Sequence, residues 1–506
     1  MAHFCERHAD KIMGVLSCPD RVIIQGTLPD ICHPNAMTMF FNARGIRIFD
    51  FKQWAAPMRE EIRETIQRLA AENGVEIEFI RKQQDFRKEQ RIKEILAQRG
   101  DHPGIVHIFS AMESCTAFKP WHDKQTHATF FKYDSGRCLH YYVYFIDKKF
   151  GLCYLRIPTW APFRLQFYFN GHNWLARQLQ KQGIGYQQVD NAFVHIEDFE
   201  KAQKLADRFP VKRLHRMLDR YARKFCPVVA RFRSGIHWSI MQGEYATDLV
   251  FNDRESLSVI YEELVRTLSH AVKPDHVAMF LGKRLDPRYD GELGTEFSTR
   301  QEGHCLRHYM GPSGIKMYDK FARVLRIETF TNDVSFFKHH RRVEHRDGTY
   351  SYKTANMRKT IYSLPDLAEL MRACNRRYLE FLSAVDDPTN AIIRVNKISR
   401  PLKQSGRSYR GFNLFSPEDE AVFHAIAQGS VQAFGIRNSG LRATLGKTSG
   451  QVSTILKRLR NHGLIKKVGN AYKYYLTSLG RQVVATSLKL KELFIIPNLR
   501  GEMRFA

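Results

Sequence analysis

Residues 314–333, GIKMYDKFARVLRIETFTND, gather the residue types that phosphodiester chemistry uses. Two short strands joined by a tight turn put Ile315, Met317, Leu325, Ile327 and Thr329 on one face, because side chains alternate along a strand. Lys316, Tyr318, Arg326 and Glu328 take the other face, with cross-strand neighbours about 5 Å apart. A carboxylate can hold a metal, cations can stabilise the charge on a pentacovalent phosphorus, and a phenol can attack it. The same four residues would equally make a salt-bridged hairpin that holds phosphate and cuts nothing. Tyr378, in NRRYLEF, is a second tyrosine of interest, since Arg376 and Arg377 would lower its pKa and bind phosphate. Either tyrosine would otherwise be a half-buried aromatic with a hydrogen-bonded hydroxyl.

Metal-ligating types lie upstream in HWSIMQGEYATD. Glu244 and Asp248 share one face of a straight strand, and His237 joins them only through a bulge or kink at Gly243. A histidine and carboxylates of this kind, with Glu328, suit Mg²⁺ or Mn²⁺; pairing of the two acids with the abundant arginines is the competing use. No organic cofactor is expected. EGHCLRH adds Glu302, His304 and His308 as a looser cluster. HHRRVEH places His340 and Glu344 one helical turn apart, or forms a basic face gripping phosphate through Arg341 and Arg342. The aromatic run from 140 to 174 interleaves with Arg156, Arg164 and His172, the composition of a base-stacking platform. In strands, half of those rings should face a core.

The elements that must position these residues read as a mixed α+β chain. Strands are expected at 21–28, 47–51, 104–112, across 136–170 and at 236–251; helices at 58–74, 86–100 and 365–385. No internal repeat is visible. The polar, basic stretch 396–411 reads as a linker. The expected organisation is an N-terminal α/β domain (1–130), a central α+β catalytic or nucleic-acid-binding domain (131–395), that linker, and a winged helix-turn-helix domain (412–495).

The last domain carries the clearest pattern. SPEDEAVFHAIAQG opens with serine, proline and acids, a helix start. RNSGLRATLG and TSGQVSTILKRLRNHG follow as helices, LIKKVGNAYKYYLT as a hairpin turning near Gly469 and Asn470, and SLGRQVVATSLKL as a closing helix. Off the apolar stripe, Gln451, Ser453, Thr454, Lys457 and Arg458 suit base edges and phosphates, and Lys466, Lys467 and Lys473 would arm the wing. Residues 401–506 hold 17 Lys+Arg against 5 Asp+Glu. A wing used only for protein contacts would not need that charge.

QVSTILKRLRNHGLIKKV resembles the winged-helix DNA-binding domains of bacterial regulators. The YDK…LRIE stretch resembles the rolling-circle replication initiators of plasmids and filamentous phages. That resemblance implies strand nicking through a tyrosine and a divalent metal held by His and acidic residues. The initiators' His-hydrophobic-His motif is absent here. The chain as a whole is similar to bacterial proteins with a winged-helix tail of the kind carried by mobile elements.

Composition agrees with a polyanionic partner. The 506 residues carry 79 Lys+Arg against 52 Asp+Glu, a net charge of +27 that favours DNA or structured RNA. Nine cysteines without a C-x-x-C pair exclude a zinc ribbon and argue for a reduced, cytoplasmic chain. No signal peptide and no membrane-spanning stretch are visible, so no membrane partner is expected. The function this points to is a nucleic-acid-binding protein of a mobile element acting as a metal-dependent nicking or strand-transfer endonuclease. Two alternatives stay open: a nuclease using activated water, and a non-catalytic DNA- or RNA-binding protein.

Overall fold

A computed structural model of the chain describes residues 2–81, 86–300, 303–386, 395–404, 406–428, 435–468 and 472–490. The chain is mixed α+β and divides into two compact units, residues 1–386 and 387–506. Among the described residues, no helix is long and apolar enough to cross a membrane.

The first unit is built on one eleven-stranded sheet. Its strands are β1 (Ile12–Thr27), β2 (Ile77–Ile80), β3 (Gly104–His122), β4 (Thr129–Asp147), β5 (Gly151–Pro158), β6 (Leu165–Asn170), β9 (His237–Phe251), β10 (Leu293–Arg300), β11 (Gly303–Met310), β12 (Ser313–Lys320) and β13 (Val324–Thr331). A separate hairpin of β7 (Tyr186–Val189) and β8 (Ala192–Ile196) follows β6 and the helix Gly171–Lys181. The order across the sheet is β10-β11-β12-β13-β9-β1-β6-β5-β4-β3-β2. Read outward from the central β9–β1 pair, the order is palindromic apart from β2, which adds to β3 in parallel at one edge. Each half begins with a central strand, passes through helices, and returns by a four-stranded antiparallel meander whose last strand pairs with the first. The topology is therefore duplicated although the sequence displays no repeat. Strands from either side of residue 130 share this one sheet.

Helices cover the apolar side of the C-terminal half. Leu325 and Ile327 of β13, with Met317 of β12, pack in a cluster with Leu379 and Leu382 of the helix Leu364–Asp386. The sheet-facing Asn375 of that helix accepts from Thr329 Oγ1 at 2.6 Å and donates to the Tyr245 carbonyl at 3.0 Å. In the N-terminal half Phe145, Leu155, Phe167 and Phe169 fill the same role. Residues 47–51, expected as a strand, are helical: Ile48–Asp50 form a 3-10 turn leading into the helix Phe51–Asn73. Ile48, Phe51, Ala55 and Met58 are buried together at three- and four-residue spacing, and that periodicity overrides the local β-propensity. Residues 338–344, expected at helical spacing, form a strand.

The second unit has its own core, which includes Val422, Phe423, Ile426, Leu441, Val452, Leu456, Leu459 and Ile465. Its helices are Pro417–Ala427, Asn438–Leu445, Ser449–Asn461 and Ser478–Leu490, with a hairpin of Ile465–Lys467 against Tyr474–Leu476. Ile436 bridges to Tyr474 as a third extended segment. The turn of that hairpin lies outside the described residues. In the stretch expected as a linker, Leu402–Gln404 pairs with Arg407–Tyr409, and Ile398 is buried in this core.

Candidate functional site

The register of β12 on β13 is the one the alternation requires: Lys316 faces Glu328, Met317 faces Ile327, and Tyr318 faces Arg326. β9 lies on the other side of β13 and sets Asp248 opposite Arg326, with Glu244 four residues along, two pleats away and opposite Phe330. β1 completes the floor. Between Pro19 and Val22 its pairing with β9 shifts register, and Asp20 sits in that irregularity. The N-terminus of the helix Gly171–Lys181 supplies His172 from above, and the β7–β8 turn supplies Asn191.

Two linked clusters result. In the first, Lys316 Nζ donates to Glu328 Oε1 at 2.7 Å and to Glu244 Oε1 at 2.9 Å, and Tyr318 donates its hydroxyl to Glu328 Oε2 at 2.6 Å. In the second, fully buried Arg326 makes a two-pronged contact with Asp248, Nε to Oδ1 and Nη2 to Oδ2 at 2.7 Å each. It also reaches Asp20 Oδ2 at 3.3 Å and the Asn191 carbonyl at 2.6 Å. Asp20 accepts further from Asn170 and Asn191 at 2.8 Å each and lies 3.0 Å from His172 Nδ1. Lys320 donates to the Asn191 side-chain oxygen.

The electrostatics follow from burial and pairing. Burial opposes ionisation of Asp20, but Arg326 and His172 outweigh it and hold the carboxyl well below its usual range. Burial raises the pKa of Glu244, and the neighbouring Glu328 raises it further against the pull of Lys316. Burial also works against the Lys316 ammonium, yet Glu328 and Glu244 together keep its pKa above the ordinary lysine value. Ligand atoms of Asp20, Glu244 and Glu328 lie within 4.8 Å of one another, a spacing a divalent cation can use.

Sequence reasoning brought Lys316, Tyr318, Arg326, Glu328, Glu244 and Asp248 to one side of the sheet, and the structure places them there. It corrects several roles. Asp248 does not join Glu244 and Glu328, because Arg326 and His172 engage it; Asp20 stands in its place beside them. His237 is exposed at the start of β9 opposite Thr27, seven residues and so about 23 Å from Glu244. Tyr318 is buried and donates its hydroxyl to Glu328, and burial first, then Glu328, raises its pKa well above the ordinary value, opposite to the activation a nucleophile needs. Tyr378 lies on the helix-covered side, fully buried, with its hydroxyl 3.1 Å from His308 Nε2. Burial raises its pKa, so Arg376 and Arg377 do not activate it. Glu302 lies outside the described residues.

The aromatic run does not form an open stacking platform. Tyr141, Tyr142, Tyr144, Phe145, Phe167 and Phe169 are buried. Arg156 pairs with Glu113 at 2.6 Å and donates to the Tyr142 hydroxyl at 3.1 Å, and Arg164 donates to the Cys32 carbonyl at 3.0 Å. In the second unit, Arg458 is buried in a two-pronged pair with Asp419 at 2.6 and 2.8 Å, so it positions the helix rather than facing a ligand. Gln451 caps its own helix, accepting from Thr448 N at 2.9 Å. Ser453 accepts from Asn438 at 2.9 Å. Lys473 is half-buried over the Tyr475 ring, whereas Thr454, Lys457, Lys466 and Lys467 are exposed.

Asp20, Asn170 and Asn191 were missed as site residues, and His172 was expected only as a cation of the aromatic run. An acid inside the apolar strand SCPDRVIIQ was the available signal for Asp20, and nothing local marks the two asparagines. Compared with family models, with curated proteins and with solved structures, the chain matches none.

Proposed function

We propose that the chain is a non-catalytic double-stranded DNA-binding protein whose C-terminal unit acts as a winged helix. The helix Ser449–Asn461 would enter the major groove, and the hairpin from Ile465 to Leu476 would lie along the backbone as the wing. One observation carries the reading. Lys457, Arg460, Lys466 and Lys467 point outward with no carboxylate in ion-pair range among the described residues, while the inward Arg458 is neutralised by Asp419. Unneutralised cations on a helix and adjoining hairpin are the groups that release counterions from DNA.

The clusters in the sheet support a folding role over a metal centre. Asp20, Glu244, Asp248 and Glu328 are met by Lys316, Arg326 and His172, and Asp20 already has several donors. A Mg²⁺ or Mn²⁺ ion would have to displace Lys316 from two carboxylates, so the residues as they stand do not fit it. The spacing of the three carboxylates is the one observation behind a second reading, hydrolysis by activated water, which would need Lys316 displaced from two of them.

One assay addresses both. Labelled single- and double-stranded DNA and RNA are incubated with the full chain, with and without Mg²⁺ or Mn²⁺. Expected is retarded duplex DNA, intact, with affinity falling steeply in salt. Cleavage lost in Glu244→Gln would install the hydrolytic reading, and absence of duplex binding at low salt would overturn the winged-helix one.

A further inference from the structure

Residues 338–356 form a two-stranded ribbon apart from the large sheet: among the described residues, β14 (Lys338–Glu344) pairs only with β15 (Tyr350–Asn356). An isolated hairpin is marginal in water. This one is mounted on the core at its base, where Met357 donates its backbone N–H to the Phe337 carbonyl at 2.9 Å and both side chains are buried. One face is half-buried, with His339 3.5 Å from Asp366. The other face is solvent-exposed and carries Lys338, His340, Arg342, Tyr350 and Tyr352, with Glu344 opposite Tyr350 at the end nearest the turn.

That outer face is built from the two components of nucleic-acid contact. Arg342 lies 3.4 Å over the Tyr350 ring, and the His340 and Tyr352 rings stack at 6.2 Å. Tyr352 is 70% exposed, a large aromatic left in water beside cations. Lys338, Arg342 and Lys353 have no carboxylate in ion-pair range among the described residues. Asp347, at the turn, is taken by the Thr349 backbone and hydroxyl.

We propose that this ribbon is a second DNA contact, an arm that lies in the major groove of a B-form duplex. Seven residues per strand span about 23 Å, two strands are about 4.8 Å apart, and a groove about 12 Å wide admits such a ribbon. Lys338 and Arg342 meet phosphates, and Tyr350 and Tyr352 lie against base edges. The deep, narrow major groove of double-stranded RNA excludes the same arm. The inference rests on the DNA-binding reading but on a different surface.

The test uses the full chain on a 30-base-pair duplex, with anisotropy titrations across a salt series and dimethyl sulfate probing of guanine N7. Variants are K338A/R342A in the ribbon, K457A/K466A/K467A in the C-terminal unit, and Y352A as a milder ribbon change. The ribbon double is expected to lower the slope of log affinity against log salt by about 1.8 and to lose a block of N7 protection. Y352A is expected to weaken binding severalfold with the slope unchanged, and binding to an RNA duplex is expected to be insensitive to both. If both ribbon variants bind with wild-type slope and footprint while the C-terminal triple loses affinity, the arm is refuted and the winged-helix reading stands. If the wild-type chain binds no duplex, both fall. Equal loss on RNA and DNA duplexes would also overturn the groove assignment.

Discussion

In the large sheet, Lys316, Lys320 and Arg326 each have an oxygen within hydrogen-bond reach, and four carboxylates balance them. On the helix Ser449–Asn461 and its hairpin, Lys457, Arg460, Lys466 and Lys467 have none among the described residues. The same charges do opposite work. A buried cation is tolerated only where paired groups replace the water it lost, so its net effect goes into specifying the fold. An exposed, unpaired cation contributes nothing to the fold and remains available to a phosphate. In this chain, position relative to carboxylates separates architecture from binding better than residue type does.

The largest test of that contrast is Arg326→Ala. It strands Asp248 and Asp20 in a buried setting and should lower unfolding free energy by about 3–5 kcal/mol in a denaturant titration. A loss under 1 kcal/mol would mean the cluster is not structural.

Next in size is a pH effect from the sheet's uncharged titratable groups. Burial pushes His308 down to about 4 and His140 likewise to about 4. Both stay neutral in the fold, while the unfolded chain protonates near pH 6.5. Their contribution is whole above about pH 6.5, is lost as pH falls towards 4, and is flat below that. The gap of about 2.5 units corresponds to roughly 3 kcal/mol per histidine. Between pH 7 and 4, His308→Gln should lose about that much less stability than the wild-type chain in denaturant titrations.

Smaller for the fold is K457A/K466A/K467A. Its unfolding midpoint should stay within about 0.5 kcal/mol of wild type, while its salt slope on duplex DNA falls by about 2.7. A clear loss of stability would blur the distinction between the two regions. A similarly modest effect on the fold is expected from Glu244→Gln. Glu244 is the most exposed of the four carboxylates, its pKa is already raised, and Lys316 keeps Glu328. A change under about 1 kcal/mol is expected, since one of two partners remains.

Much of this was legible from the chain. Alternation in residues 314–333 is enough to put Lys316, Tyr318, Arg326 and Glu328 on one face, because a pleat has a period of two. Helix starts at Pro417 and Thr448 are read from their caps. What was not legible depends on long-range placement. That Asp248 pairs with Arg326 and not with a metal follows from the β9–β13 register, 78 residues apart in sequence. The burial of Tyr378 follows from which side of the sheet its helix covers. Arg458 looked like its neighbour Lys457 until Asp419 was folded beneath it. The duplicated half was invisible because a strand order leaves no mark on residue identity once side chains have diverged.

The palindromic sheet has a consequence for how the chain is made. β1 and β9 form its centre, yet Ser17 and Thr247, whose hydroxyls meet there at 2.9 Å, are separated by 230 residues. At roughly 20 residues per second of synthesis, β1 waits more than about ten seconds for its partner strand. During that interval its free edge offers an unpaired row of backbone groups to any other nascent copy. Pairing that spans most of a domain is slow to form. Exchange of halves between chains is therefore the misassembly this architecture must outrun, and refolding yield should fall as protein concentration rises.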